Sequence, residues 1–189
     1  AGITLATYKS IFQGDIWIYM RNSVMYTVLG TLVNIIMSCL CAYPLTRRSF
    51  CARRFYTAMV TVTLFFSGGM VPMYLTVQKY GMMDTIWALL LPGAISTYNM
   101  IIIRTAFANI PDSLIESAQL DGANDLRILF IIVIPLSKAT LSTMLLFYAV
   151  GHWNSYFDAM MYLRTKEMYP LQIHLRNLLV AGIASEELQ

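Results

Sequence analysis

Three carboxylates, Asp112, Glu116 and Asp121, stand in one short polar stretch of an otherwise apolar chain. A helix carrying them could dock into the cleft of a partner. Glu116 admits two readings. In Ser113-Leu114-Ile115-Glu116 it fits a capping box that ties off a helix start, or it meets a basic residue on a partner. The other reactive types do not combine. Cys39, Cys41 and Cys51 are an odd number without C-x-x-C spacing, and the two histidines are distant, so no disulfide framework or zinc site follows. An enzyme at membrane depth would need clustered Asp, Glu, His or Cys, and His152 stands alone there. No catalytic residue and no metal site are expected.

The elements that position the carboxylates are set by composition. Of 189 residues, 58% are hydrophobic and 12% are charged. A soluble domain carries about a quarter charged residues. Mean hydropathy is +0.60, which excludes disorder and disfavours an ordinary soluble enzyme. A net charge of +3 is too weak for a nucleic-acid footprint.

Charges cluster, and the gaps between them reach the length of about 20 residues that crosses a bilayer as helix. Four transmembrane helices are expected, at about 22–46, 55–78, 85–105 and 139–160. Arg47, Arg48, Arg53 and Arg54 make the link after the first span the strongest basic cluster, which places it in the cytoplasm. The Lys79–Asp84 turn is then outside, the 108–138 loop inside, and the segment from Asp158 outside. Ala1 also falls outside, with no signal peptide in residues 1–21. The expectation is a fragment of a longer membrane protein.

The spans are interrupted. Ser67-Gly68-Gly69 followed by Pro72 lies mid-span, and Pro72 is expected to kink the helix. Gly68, Gly69 and Pro72 serve either close helix packing or a hinge or pore-lining break. Asn34, Asn99, His152 and Asn154 are polar at membrane depth, marking either a pathway or hydrogen bonds between helices. Trp153, Tyr156, Tyr162 and Tyr169 fit an aromatic belt at the outer interface or rings for stacking a sugar.

The 108–138 loop reads as a hairpin. Asn109-Ile110-Pro111-Asp112-Ser113 is a helix start, with Leu114, Ile115 and Ala118 as its apolar stripe. Gly122 suits a left-handed helix end, and Asn124 caps a second helix that runs to Pro135. Glu116-Ser117-Ala118, Gly122, Ile132 and Pro135 resemble the E-A-A…G…I-x-L-P signature of ABC importer permeases. The spacing is kept: three residues before the glycine and nine before the isoleucine. Ser117 replaces an alanine and Ile134 a leucine. Asn22-Ser23, Ala42-Tyr43-Pro44-Leu45 and Arg104-Thr105-Ala106-Phe107 resemble maltose-type carbohydrate permeases. Phe66-Ser67-Gly68-Gly69-Met70-Val71-Pro72, Tyr148-Ala149-Val150-Gly151-His152-Trp153-Asn154-Ser155 and Tyr169-Pro170-Leu171-Gln172 resemble a Gram-positive subgroup linked to plant-polysaccharide oligosaccharides.

The resemblance implies an all-α membrane protein, a type I importer bundle with a cytoplasmic coupling hairpin, and a single permease domain over 1–189 that holds spans two to five of a usual six and so lacks the first and last. It implies a multi-pass protein of a bacterial plasma membrane. It implies a second, usually non-identical permease, two ATPase subunits and a solute-binding lipoprotein as partners. The chain has no phosphate loop of the G-x-x-x-x-G-K-[ST] type, so the resemblance assigns ATP and Mg to the partner ATPase. It assigns coupling to Glu116, Ser117, Ala118, Asp121, Gly122 and Pro135. Asn99, Trp153, Asn154 and Tyr156 are candidates for the substrate path. A secondary transporter is disfavoured because no charged pairs or relays lie inside the spans.

Overall fold

The computed structural model describes residues 16–186, with side-chain surroundings through residue 180. The expectations about the leading residues 1–15 and the final 187–189 lie outside the described residues. Every regular element among the described residues is helical. The chain divides into two compact units.

Helix α1 (Ile16–Ala42) is the longest element, at 27 residues. It is apolar on the outside and polar on the inside. Val28, Leu32, Ile36 and Leu40 are exposed, whereas Asn22, Ser23, Thr31, Asn34 and Ser38 are buried. A membrane helix has no reason to hide its aliphatic side chains, because lipid is as apolar as they are. Small and polar side chains therefore gather where helices touch.

The first unit comprises the described residues up to Gly30, Met70–Pro92, and those from Ala149 onward. It holds the start of α1 with α3 (Met70–Lys79), α4 (Trp87–Leu90), α10 (Phe157–Tyr162) and α11 (Leu171–Glu186). The polar residues of α1 capture loop backbone. Asn22 Nδ2 donates to the carbonyls of Glu167 (2.6 Å) and Tyr169 (3.1 Å). Tyr26 donates to the Met168 carbonyl at 2.8 Å, and Ser23 Oγ accepts the Leu171 amide at 2.8 Å. Asp84 ties the 80–86 turn to the same loop. Its carboxylate accepts from the amides of Arg164 (2.8 Å) and Thr165 (2.9 Å) and from the Thr165 hydroxyl. Asp84 has φ +57, a left-handed conformation that Asp and Asn tolerate. His152 hydrogen-bonds the backbone at Gly30. A Cβ on Gly30 would stand 2.5 Å from that imidazole, so only glycine leaves room for the ring.

The second unit comprises Thr31–Gly69 and Gly93–Tyr148. It holds the end of α1, α2 (Arg53–Phe65), α5 (Thr97–Ala108), α6 (Asp112–Leu120), α7 (Asp125–Ile128), α8 (Ile134–Leu136) and most of α9 (Lys138–Trp153). Cys39, Leu45, Met100, Ile103, Phe107, Ile115, Ile128, Leu129 and Val133 form its core. Asn34 Nδ2 donates to the Gly93 carbonyl at 2.6 Å, and Ser38 shares a 2.7 Å hydrogen bond with the Tyr148 hydroxyl.

None of the expected spans after the first is a single helix among the described residues. Among the described residues, one helix is long and apolar enough to cross a membrane alone, and up to three spans result if each bent pair counts as one. The 55–78 stretch is two helices, α2 and α3, separated at residues 66–69. Pro72 does not kink a helix. It lies in the first turn of α3, where its missing N–H has no intrahelical partner to lose. The 85–105 stretch is the short α4, an irregular segment through Pro92-Gly93, and α5. The 139–160 stretch breaks after Trp153, before α10. Tyr162 is buried and stacks on Tyr74 with centroids 6.3 Å apart, so it is not part of an interfacial belt.

The loop clamps make two measurable claims. Asn22→Ala removes the donor to two part-buried carbonyls and lowers stability by about 1 kcal/mol, measured by thermal unfolding of the purified complex. Hydrogen bonds from Thr165 and Arg164 hold the Asp84 pKa below 3.8. A depressed carboxylate contributes stability above its unfolded pKa and loses it as pH falls through the folded one. The Tm advantage of the wild type over Asp84→Asn is therefore constant above about pH 5 and shrinks below pH 3.8. An advantage that persists undiminished to about pH 2 contradicts the clamp.

Candidate functional site

The carboxylate stretch forms the helical hairpin of the second unit. Helix α6 is rooted by Ile115, which is buried, and its second arm by Ile128 and Leu129. The turn between them is a Schellman cap. The Gly122 amide donates to the Gln119 carbonyl and the Ala123 amide to the Ala118 carbonyl, both at 3.0 Å. Gly122 has φ +79, as the motif's left-handed position requires. Ala118 and Ala123, the residues whose hydrophobic contact accompanies such a cap, are both half-buried against the core. Asn124 Oδ1 then caps the second arm by accepting the Arg127 amide at 2.8 Å.

The sequence places the hairpin's turn and second cap where the structure has them. The first cap differs. Pro111 occupies the N-cap position and Asp112 the first helical one, with no side-chain cap bond. Ser113 and Glu116 are thus too deep in the helix to form a capping box. Leu114 is 46% exposed and leaves the apolar stripe. Ser117, the departure from the alanine of the signature, folds its hydroxyl onto the Ser113 carbonyl at 2.9 Å. Pro135 does not end the second arm. A π-helical turn, Leu129–Val133, passes into α8, and the chain bends by 87° between Leu136 and Lys138 into α9.

The outer face of α6 is free. Asp112, Glu116, Gln119, Leu120 and Asp121 are exposed. Asp112 pairs with Arg48 at 3.7 Å, both exposed, a contact worth about 0–1 kcal/mol. Glu116 lines a cavity of about 220 Å³ with Arg47, Arg48, Ser49, Asp112, Ile115 and Gln119. It forms no ion pair among the described residues, so its carboxylate is available to a partner. Leu120 stands outside the residues that the sequence singles out, yet it is 89% exposed at the hairpin tip. The signal for it is positional: it falls off the face set by Ile115 and Ala118.

The substrate-path candidates divide between the two units. Asn99 lies in the second, where it and the Ser96 backbone interact with the Tyr148 hydroxyl. Trp153, Asn154 and Tyr156 lie in the first, at the turn between α9 and α10. Asn154 Nδ2 donates back to the Val150 carbonyl at 3.0 Å, while Trp153 and Tyr156 are 37% and 42% exposed. Sequence reasoning does not find the buried Tyr148 and Ser38, because a tyrosine or serine in an apolar run gives no signal by itself.

Residues 30–163 match the model of a family described as the binding-protein-dependent transport system inner membrane component. The chain belongs to that family. The permease is 46% identical over 181 residues to the polygalacturonan/rhamnogalacturonan transport system permease protein YtcP of Bacillus subtilis, covering 95% of this chain and 63% of that protein. It is 40% identical to the protein LplC of the same organism, over 94% of this chain and 60% of that one. It thus spans about three-fifths of the length of these relatives. Its fold matches the crystal structure of a bacterial ABC transporter involved in the import of the acidic polysaccharide alginate, with a TM-score of 0.90 at 34% identity, over 94% of this chain and 64% of that one. The permease is a membrane-embedded member of this family, helical in every regular element of its described residues.

The left-handed turn is the hairpin's most sensitive backbone position. Gly122→Ala meets no neighbouring atom but pays the left-handed penalty of about 1–2 kcal/mol. Hydrogen exchange at the Ala123 amide should accelerate accordingly, whereas Gly93→Ala, at an equally open glycine without positive φ, leaves it unchanged.

Proposed function

We propose that this chain is the transmembrane subunit of an ATP-driven, binding-protein-dependent oligosaccharide importer. The hairpin carries the proposal: a helix rooted in the core by one buried isoleucine, with its acidic and leucine-tipped face turned outward. Such a helix suits a partner's cleft, and ABC importer permeases meet their ATPases through a segment of this signature. Glu116 would supply charge, Ala118 close packing, and Gly122 the turn, with Ser117 and Asp121 at the contact. Pro135 and the bend after Leu136 would pass the motion into α9.

The partners follow from the family. They are a second, non-identical permease, two ATPase subunits that bind ATP and Mg, and a lipid-anchored solute-binding protein outside a Gram-positive cell membrane. When ATP closes the ATPase pair, the hairpin moves with the subunit that holds it. Access then alternates between two states, biased by the ligand. No covalent chemistry is asked of this chain. The names of its relatives favour oligosaccharides from acidic plant polysaccharides as cargo. Asn99, Trp153, Asn154 and Tyr156 remain candidates for the path, although Asn99 and Asn154 already have structural hydrogen-bond duties.

The test uses the full-length chain in its assembled transporter, with Cys39, Cys41 and Cys51 replaced and a single cysteine at Gln119. Crosslinking in membranes should capture a cytoplasmic ATPase, with a yield that changes on adding ATP. Glu116→Ala and Gly122→Asp should abolish oligosaccharide uptake while the chain still inserts. Normal uptake by both variants, or insertion without capture, defeats the proposal and brings a secondary transporter forward.

A further inference from the structure

The apolar runs that the sequence reads as spans contain two stretches of irregular backbone, 66–69 and 91–96, and they are treated differently. In the 91–96 segment, Asn34 binds the Gly93 carbonyl and the Tyr148 hydroxyl meets the Ser96 backbone. The 66–69 segment has no such support. Phe66 closes α2 by donating to the Val62 carbonyl, and the chain then runs without helix to Met70. The amides of Ser67, Gly68 and Gly69, the carbonyls of Phe66, Ser67 and Gly68, and the Ser67 hydroxyl have no hydrogen-bond partner among the described residues. All four residues are exposed.

Bare irregular backbone of this kind does not face lipid. Each unsatisfied group there costs several kcal/mol, and such segments occur only against protein or along a water-filled cavity. Two rings frame the break: Phe65 and Phe66 are each 75% exposed. The Thr63 and Thr97 hydroxyls, 3.2 Å apart, hold the end of α2 beside the first turn of α5. Free amides, free carbonyls and a hydroxyl next to open aromatic faces form the surface a sugar ring requires. Its hydroxyls both donate and accept, and its apolar C–H face lies on an aromatic ring.

We propose that Phe65–Gly69 is a carbohydrate-contact site on the wall of the aqueous translocation path, with Phe65 and Phe66 as stacking rings and the Ser67–Gly69 backbone as hydrogen-bonding partner. Gly69 has φ +82, and nothing lies within 4 Å of the place a Cβ would take, so the backbone there stays bare and open. The site deepens the oligosaccharide-importer reading and rests on it.

The test uses the full-length, cysteine-free assembled transporter in proteoliposomes, with single cysteines at Ser67, Gly68 or, as a lipid-facing control, Leu32. Uptake of oligogalacturonides by the cysteine-free parent is measured first. If the parent moves no carbohydrate, the importer reading itself fails. With an active parent, a membrane-impermeant thiosulfonate should modify S67C and G68C and spare L32C. Oligogalacturonides at about ten times their Kd should slow that modification about tenfold. Unreactive cysteines at both positions mean that the break is packed against another subunit, which overturns the site. Reactive cysteines without sugar protection mean a wetted wall that does not touch the cargo, which also overturns it.

Discussion

Everything in this fold depends on how backbone polar groups are satisfied where water is absent. A continuous helix satisfies its own, but the permease needs loops and breaks, and each one releases carbonyls and amides. Helix α1 answers this with a polar stripe. Asn22, Ser23 and Tyr26 take up the backbone of the 167–171 segment, and Asn34 takes up Gly93. Their burial is therefore a condition of the interruptions, and the exposed aliphatic side of the same helix is its ordinary lipid or partner face.

The acidic hairpin obeys a different rule, because it lies in the polar stretch between the apolar runs. It is organised by local caps: a glycine that accepts a left-handed φ, two alanines that let the Schellman turn sit down on the core, and an asparagine cap on the second arm. Only Ile115 anchors α6 from within, flanked by half-buried Ala118. A helix held by so few apolar contacts and one exposed ion pair, Arg48–Asp112, can be stiff internally and still move as a unit. The coupling role proposed for the hairpin needs that combination. The π-turn at Leu129–Val133 and the bend before Lys138 continue it into a long helix.

Local chemistry is legible in the sequence. Gly122, Asn124 and the spacing from Glu116 to Pro135 fix the hairpin and the family, because caps and turns are decided by neighbours a few residues away. Long uncharged runs fix the membrane location for the same reason: hydropathy is additive along the chain. The capping box expected around Glu116 fails because the helix begins earlier, with Pro111 at its N-cap. Hydropathy alone reads 55–78 and 85–105 as continuous, whereas the structure separates whole helices there. Ser67-Gly68-Gly69 and Pro92-Gly93 carry no charge, so such a count runs straight through them.

The sequence by itself thus determined that this is a helical membrane protein with an acidic hairpin helix, since those properties come from composition and short-range spacing, and the signature within that hairpin carried the resemblance to its family. Only the tertiary structure decided which polar side chains are structural. Asn34 reaches Gly93, Ser38 reaches Tyr148, and Asn99 meets Tyr148 from another helix. These partners are far apart in the chain, and no local pattern announces such a pairing. The tertiary structure also decided which break is left bare, because an unsatisfied carbonyl is defined by what the rest of the chain fails to bring to it.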